Sequence, residues 1–335
     1  VAEAEIALAS RDLGWAAKAL DTARATLEAH GDRVNAAHAR YLQIRHLLLI
    51  GRLDEAERAL ARIDPVRLAP ASQCVHELVR AGIAMRRVQA RAARAALDRA
   101  GQLARAAGIP ALAAEVEHAR LSLTAPAARL IANGTSRSLL LEEVEALFAS
   151  RTFVVDACRH VVRDNVKVVS LARRPVLFSL IRALGEAWPG DVPRDTLIAR
   201  AFRLKLADES HRARLRVEMT RLRAAIRPLA DVRATGQGFA LVPRRRAQDV
   251  VVLARPVEEK HAEVLAFLAD GEAWSSSALA LALGTSQRTV QRALDALAAA
   301  GRVQSFGLGR TRRWMTPPVP GFTTTLLLPA PLSSD

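Results

Sequence analysis

Between Ser210 and Val242 the chain reads SHRARLRVEMTRLRAAIRPLADVRATGQGFALV, and two kinds of pattern meet there. Leu215, Met219, Leu222 and Ile226 recur at i, i+4, i+7 and i+11, the spacing of one helix face turned to a core. Arginines at 212, 214, 216, 221, 223 and 227 alternate with that series, so the helix is apolar on one side and cationic on the other. A short turn follows, then a β-ribbon with Gly236 and Gly238. Such a helix has to be covered on one side, and its other side is free for solvent or a polyanion.

The charge is local. The whole chain of 335 residues carries a formal +15, nearly all of it arginine; lysine occurs only at 18, 167, 205 and 260. Residues 151–250 hold 21 basic and 10 acidic side chains, a net of about +11, whereas the preceding 150 residues hold about +3 and the remainder about +1. A polyanionic partner is expected for that middle segment, and nucleic acid is the commonest one. Cys74 and Cys158 stand apart from each other and from histidines at ligand spacing, which argues against a disulfide framework or zinc site and for a reduced, cytoplasmic setting. Apolar runs such as Leu47–Ile50 and Val250–Ala254 are far shorter than the roughly 20 residues of a membrane span, and no signal-peptide pattern is present.

From Val1 to about Arg151 the pattern is helical almost throughout. It is broken at Gly14, His30-Gly31, Gly51, Asp64-Pro65, Gly108-Ile109-Pro110 and Asn133-Gly134. Leu13-Gly14, Ile50-Gly51 and Val88-Gln89 recur at about 37 to 38 residues, a period of stacked helical hairpins. The unit LLLIGRLDEAERALARIDP, residues 47–65, resembles a tetratricopeptide repeat. The resemblance implies Gly51 at a close helix crossing, Ala56 and Ala59 as small contact residues, and Pro65 ending the second helix. Hairpin stacks of this kind hold a peptide, a partner protein or a copy of themselves on a concave face.

At Thr152 the texture turns β-branched: TFVVDACRHVVRDNVKVVSL predicts short strands with a turn at Asp164-Asn165. A helix over Pro175–Ala187, a loop WPGDVP, a helix from Arg194 to about Phe202 and the arginine helix capped by Ser210 follow. This order over residues 152–243 resembles the OmpR/PhoB-type winged-helix output domain of bacterial response regulators. The resemblance is carried by Val168-Val169-Ser170-Leu171, Trp188-Pro189-Gly190, Arg194-Asp195-Thr196-Leu197, Met219-Thr220-Arg221-Leu222-Arg223 and Thr235-Gly236-Gln237-Gly238-Phe239. It implies a recognition helix in the major groove and a wing on the flanking phosphates. Two departures stand out: no phosphoacceptor receiver domain is visible, and Arg216 occupies a place where that family has an acidic or small residue. On this helix Arg216, Val217, Thr220 and Arg221 are expected at base edges, where an arginine fork pairs with guanine. Arg212, Arg214, Arg223 and Arg233 are expected on phosphates, with Thr235 and Gln237 touching backbone or minor groove.

After Arg244-Arg245-Arg246, a linker over 247–256 leads to three more helices, Glu258–Ala269, Ser275–Leu283 and Ser286–Ala300. RVQSFGLGRTRRWM then reads as two short strands with a Gly307–Gly309 tip. The segment TSQRTVQRALDALAAAGRV resembles the recognition helix of DeoR- and MarR-type winged-helix repressors. This implies Ser286, Gln287, Arg288, Gln291 and Arg292 facing a groove and Arg310, Arg312 and Arg313 on phosphates; the alternative is a module for protein contact or dimerisation. The Pro-rich tail, 317–335, holds the β-prone run Thr323–Leu328, which can add a strand to a neighbouring sheet.

No G-x-x-x-x-G-K-[ST], H-E-x-x-H or G-x-S-x-G motif occurs, and His38 and His46, eight apart, lack a carboxylate or cysteine set beside them. The expectation is therefore a mainly α, multi-domain chain without enzyme chemistry, cofactor or metal. A helical-repeat domain (1–150) is followed by two α+β winged-helix domains (151–246 and 257–316). As a function this gives a cytoplasmic bacterial transcriptional regulator on double-stranded DNA, its repeats binding a protein partner or a second copy as a homodimer. The alternatives are an adaptor whose winged helices serve assembly, and an architectural DNA-binding protein without sequence preference.

Overall fold

The computed structural model describes residues 1–13, 17–202, 209–245, 248–256, 261–268 and 272–316. It is mainly helical with some sheet. The chain forms two compact units, one of residues 127–258 and one that joins 1–126 to the segment from 259 onward. Among the described residues no helix is long and apolar enough to cross a membrane. The segments expected at Gly14, Arg246 and the 317–335 tail lie outside the described residues.

The first unit begins with helices α1 (Ala2–Ala9), α2 (Ala17–Ala29), α3 (Arg33–Leu49), α4 (Leu53–Leu60), α5 (Pro70–Arg86), α6 (Ala90–Ala107) and α7 (Pro110–Thr124). Consecutive helices pack as hairpins, with Tyr41, Ile44, Ala56, Leu60, Val79 and Ile83 in a shared core. Ala56 is fully buried where α4 meets its neighbours, as expected of a small contact residue, and Ala59 packs partly buried against the same core. Gly51 differs from expectation: it sits not at a helix crossing but in the α3–α4 turn, with φ of +76°. Arg11 and Val88 hold the same left-handed conformation, φ +50° and +57°, in the turns after α1 and α5. Gly51 and Val88, two members of the sequence period, thus both lie in turns after a helix. Pro65 lies beyond the end of α4, which stops at Leu60.

The helical pattern expected up to Arg151 is overturned at Ala128. Strands β1 (Ala128–Ala132) and β2 (Thr135–Leu139) form a hairpin whose two-residue loop is Asn133-Gly134, with φ of +49° and +74°. Both residues take the left-handed conformation that this tight turn demands, and Asn-Gly is the pair that adopts it most readily. After α8 (Leu141–Ala149) come β3 (Phe153–Asp156), β4 (Val161–Arg163) and β5 (Val168–Ser170), the β4–β5 turn spanning Asp164-Asn165 as expected. Then follow α9 (Pro175–Ala187), β6 (Asp191–Pro193), α10 (Arg194–Phe202), α11 (Glu209–Ile226), β7 (Ala230–Ala234), β8 (Gly238–Pro243) and β9 (Val250–Ala254).

The expected linker over 247–256 is corrected by β9. All five of its residues are buried, and it lies inside a six-stranded sheet of order β2-β1-β9-β3-β4-β5, antiparallel to β1 and parallel to β3. A continuous VVVLA run is what a strand covered on both faces requires. A second, three-stranded antiparallel sheet has the order β6-β8-β7. Helix α9 joins the two layers. Its Leu180, Ile181 and Leu184 are fully buried in a core that includes Val155, Val252, Leu197, Met219 and Phe239. Gly185 permits the closest approach, since a Cβ there would stand 3.1 Å from the side chains of Val155 and Val252.

The remainder of the first unit is α12 (Ala262–Leu268), α13 (Ser276–Leu283), α14 (Gln287–Ala299) and strands β10 (Gln304–Phe306) and β11 (Arg313–Met315), with a 3-10 turn at Gly309–Thr311. Trp274 and Trp314 exchange two backbone hydrogen bonds of 2.8 Å, which extend the β10–β11 ribbon. The Arg11 guanidinium stands 5.7 Å from the centroid of the Trp274 ring, within the same unit.

Glycine 238 is the position where only a missing Cβ fits: a side-chain carbon there would lie 1.8 Å from the carbonyl oxygen of Val192. Gly236, two residues away, has nothing within 4 Å of the equivalent point. Gly238→Ala is expected to cost about 3 kcal/mol or more in urea unfolding, while Gly236→Ala stays within about 0.5 to 1 kcal/mol.

Candidate nucleic-acid interface

Helix α11 runs without Gly or Pro from Glu209 to Ile226, and Pro228 lies just beyond its end. Ser210 is not its cap: the helix already includes Glu209, an acidic residue favourable in a first turn. Leu215, Met219, Leu222 and Ile226 are all buried, as the spacing predicts. The opposite face carries Ala213, Arg216, Val217, Thr220, Arg221 and Ala224, all exposed, with Val217 50% exposed at its centre. The two alanines keep this face low, so a partner surface can come close to the backbone between the arginines.

Of the cations here, Arg212 and Arg216 have exposed carboxylate partners, whereas the partner of Arg221 is Glu218, whose side chain is only 13% exposed. Arg216 lies 3.4 Å from Glu209, and Arg212 lies 3.6 Å from Glu209 and 4.0 Å from Asp195. Arg221 donates to Glu218 at 2.9 Å, and the Thr220 hydroxyl donates to the Arg216 carbonyl at 3.1 Å. Exposed pairs such as those of Arg212 and Arg216 contribute about 0 to 1 kcal/mol and exchange readily for a phosphate or a base edge.

Two expected contacts have other employment. Arg223 is half-buried; its Nε donates to the Val232 carbonyl at 2.7 Å, and its guanidinium stands 5.8 Å from the Phe239 ring. It ties α11 to β7 rather than standing free for phosphate. The Thr235 hydroxyl donates to Asp191 at 2.5 Å and accepts from the Gly238 N–H at 2.9 Å, closing the β7–β8 turn. Arg233 on β7 and Gln237 at the turn remain exposed, and Arg214 lies over the Phe202 ring at 4.5 Å.

Arg194 was not among the expected site residues. From the first position of α10 it donates to the carbonyls of Thr235 and Gly236, both at 3.2 Å, and stands 5.5 Å from Phe239 on the hairpin. The sequence held one signal: a cation at a helix N-terminus opposes the helix dipole, so its acceptors have to lie off the helix. Glu186 was missed as well. It receives Arg182 of its own helix at 2.7 Å and Arg200 of α10 at 2.6 Å, fixing the two helices together. Burial pushes its carboxyl up, and the two guanidinium groups more than offset this, holding it below the usual range.

In the other unit α14 is capped by Ser286, whose Oγ accepts from the Thr289 N–H at 3.2 Å. Gln287 donates to Ser276 Oγ at 3.0 Å, and Gln291 donates to Asp295 at 2.9 Å. Of the five residues expected at a groove, Arg288 and Arg292 are the exposed cations, while these three make local bonds. Arg312 stands over the Trp314 ring, 4.3 Å from its centroid, and donates to Ser305; Arg313 is half-buried; the Arg310 side chain lies outside the described residues. The hairpin end is apolar, with Phe306 50% and Leu308 88% exposed.

Comparison with protein-family models, with curated proteins and with solved structures finds no match for the chain. The site therefore rests on its own geometry.

Arg223→Ala is expected to lower stability by about 1 to 2 kcal/mol through loss of its bond to Val232, whereas Arg216→Ala changes it by less than about 0.5 kcal/mol. Chemical unfolding of the two variants measures this. The Glu186 carboxylate stabilises the fold fully above its ordinary pKa, and the contribution disappears as pH falls through the depressed folded value. Glu186→Gln is expected to be about 1 kcal/mol less stable than the parent at pH 7, with the gap closing below about pH 4.

Proposed function

We propose that this chain is a sequence-specific double-stranded DNA-binding regulator of transcription, and that the unit of residues 127–258 is its principal reader. In this reading the unit is a winged helix of the OmpR/PhoB type. Helix α11 enters the major groove, and the β7–β8 hairpin lies as a wing along the phosphates. The observation that carries it is the face of α11 opposite the core: Arg216, Val217, Thr220 and Arg221 exposed on a helix whose other side is fixed by four buried apolar residues.

Chemistry assigns roles along that face. Arg216 and Arg221 flank it with planar forks that match guanine O6 and N7, and Val217 offers an apolar contact to a thymine methyl group. Arg212, Arg214 and Arg233 neutralise phosphates, with Gln237 on the backbone. Arg194, Arg223 and Thr235 hold the hairpin in place and so act through it as positioning residues. The helical hairpins, tetratricopeptide-like in this reading, hold a protein partner or a second copy. The setting is the bacterial cytoplasm, and no catalysis is involved.

A second reading applies to residues 261–316. The exposed Phe306 and Leu308 at the hairpin end and the local bonding of Ser286, Gln287 and Gln291 favour a module for protein contact over a second DNA reader.

Selection of bound sequences from random duplexes, followed by fluorescence anisotropy on the enriched site, tests the proposal. Arg221→Ala is expected to cost about 1–3 kcal/mol on that site and to relax preference at one base pair. Arg212→Ala is expected to weaken all duplexes alike and to lower the slope of log K against log salt by about one. An unenriched pool, or equal losses from both variants on specific and random DNA, rejects sequence-specific reading. Arg288→Ala/Arg292→Ala is expected to leave DNA affinity within about twofold, as the protein-contact reading of 261–316 requires.

A further inference from the structure

Helices α1, α3, α5 and α7 line a cavity of about 650 Å³ in the first unit. Its size falls in the range of small-ligand sites, which run from roughly 300 to 1,000 Å³. Its floor is apolar, with Leu42 of α3 and Val75 and Leu78 of α5. Its wall is charged and carries more cation than anion, with three arginines against two glutamates, and two histidines beside them.

One contact shows how that wall handles an anion. Arg45 on α3 donates to Glu115 on α7 at 2.7 Å, although α5 packs between those two helices. Both residues line the cavity. Both side chains are partly exposed, 34% and 43%, so the bond is screened and readily exchanged. Glu115 marks the position of a carboxylate on Arg45 with an apolar surface directly beside it. Arg86, further along α5, adds a second guanidinium to the lining, and its Nη1 donates to the Gly82 carbonyl at 3.1 Å.

We propose that this cavity binds a small amphipathic anion, its apolar body on Leu42, Val75 and Leu78 and its carboxylate or sulfonate on Arg45 in place of Glu115. The site would make the helical hairpins a receptor for a small molecule, independently of whether the chain binds DNA.

Titration of the full chain with 1-anilinonaphthalene-8-sulfonate, with decanoate as competitor, tests this. The expected result is saturable, blue-shifted fluorescence that decanoate displaces. Glu115→Gln removes the internal competitor and is expected to tighten binding severalfold, while Arg45→Gln weakens it about tenfold. The double variant is expected to resemble Arg45→Gln. A misfolded variant cannot imitate opposite shifts from the two halves of one ion pair. The proposal is overturned if no saturable binding is seen, if both single variants shift in the same direction or neither shifts, if decanoate fails to compete, or if only an amphipathic helical peptide displaces the dye.

Discussion

The architecture of the 127–258 unit depends on the burial of helix α9 from two sides. Leu180, Ile181, Leu184 and Gly185 have almost no exposure, and they face the six-stranded sheet through Val155 and Val252 while α10, α11 and the β6-β8-β7 sheet close over the other side. Each fully buried Leu or Ile contributes about 1.5–3 kcal/mol from area alone, so this one helix supplies a large part of the unit's stability. Two neighbouring helices are fixed to it directly. Helix α11 rests on it with its apolar stripe, and α10 is fixed to it by Glu186 between Arg182 and Arg200.

Rigidity of the hairpin has a separate source. Phe239 lies between Arg194 and Arg223, at 5.5 and 5.8 Å, and the same two arginines donate to carbonyls of the hairpin. Thr235, Asp191 and Gly238 close its turn. Cations in this unit thus divide into two populations. Arg194 and Arg223, with backbone acceptors and the Phe239 ring face, set the geometry of the hairpin; Arg212 and Arg216, whose carboxylate partners are exposed, are open to an outside ligand. Sequence spacing alone does not separate Arg223 from Arg221, because both lie on the cationic flank of one helix. The difference is that β7 runs beside one and not the other.

The division of the chain also has a physical logic. Residues 1–126 and the described part of 259 onward form one unit while 127–258 forms the other, so the middle of the sequence is an inserted body. Its two ends are joined by the pairing of β1 with β9 and of β9 with β3, which brings residues about 120 apart in sequence into one sheet. The strand β9 is the element that makes this closure, and its neighbours β1 and β3 have no complete sheet without it.

Local periodicity by itself determined the apolar stripe of α11, the limits of α9 and α10, the β4–β5 turn, the extents of α13 and α14 to within a residue and the helical hairpins of the first 126 residues, since each depends on contacts within a few turns of chain. It also held the signal for the β1–β2 hairpin, in Asn133-Gly134 between two short β-prone runs, although a long helical context masked it. Tertiary structure alone decided the rest. VVVLA at 250–254 became a central strand because β1 and β3 were there to pair with it. Arg223, Arg194 and Thr235 became struts because a carbonyl, a ring or a carboxylate from a distant segment lay within reach. Arg45 met Glu115 because α3 and α7, far apart in sequence, both line one cavity. Those outcomes depend on which non-neighbouring groups come within hydrogen-bonding or van der Waals distance, and that is fixed only when the core closes.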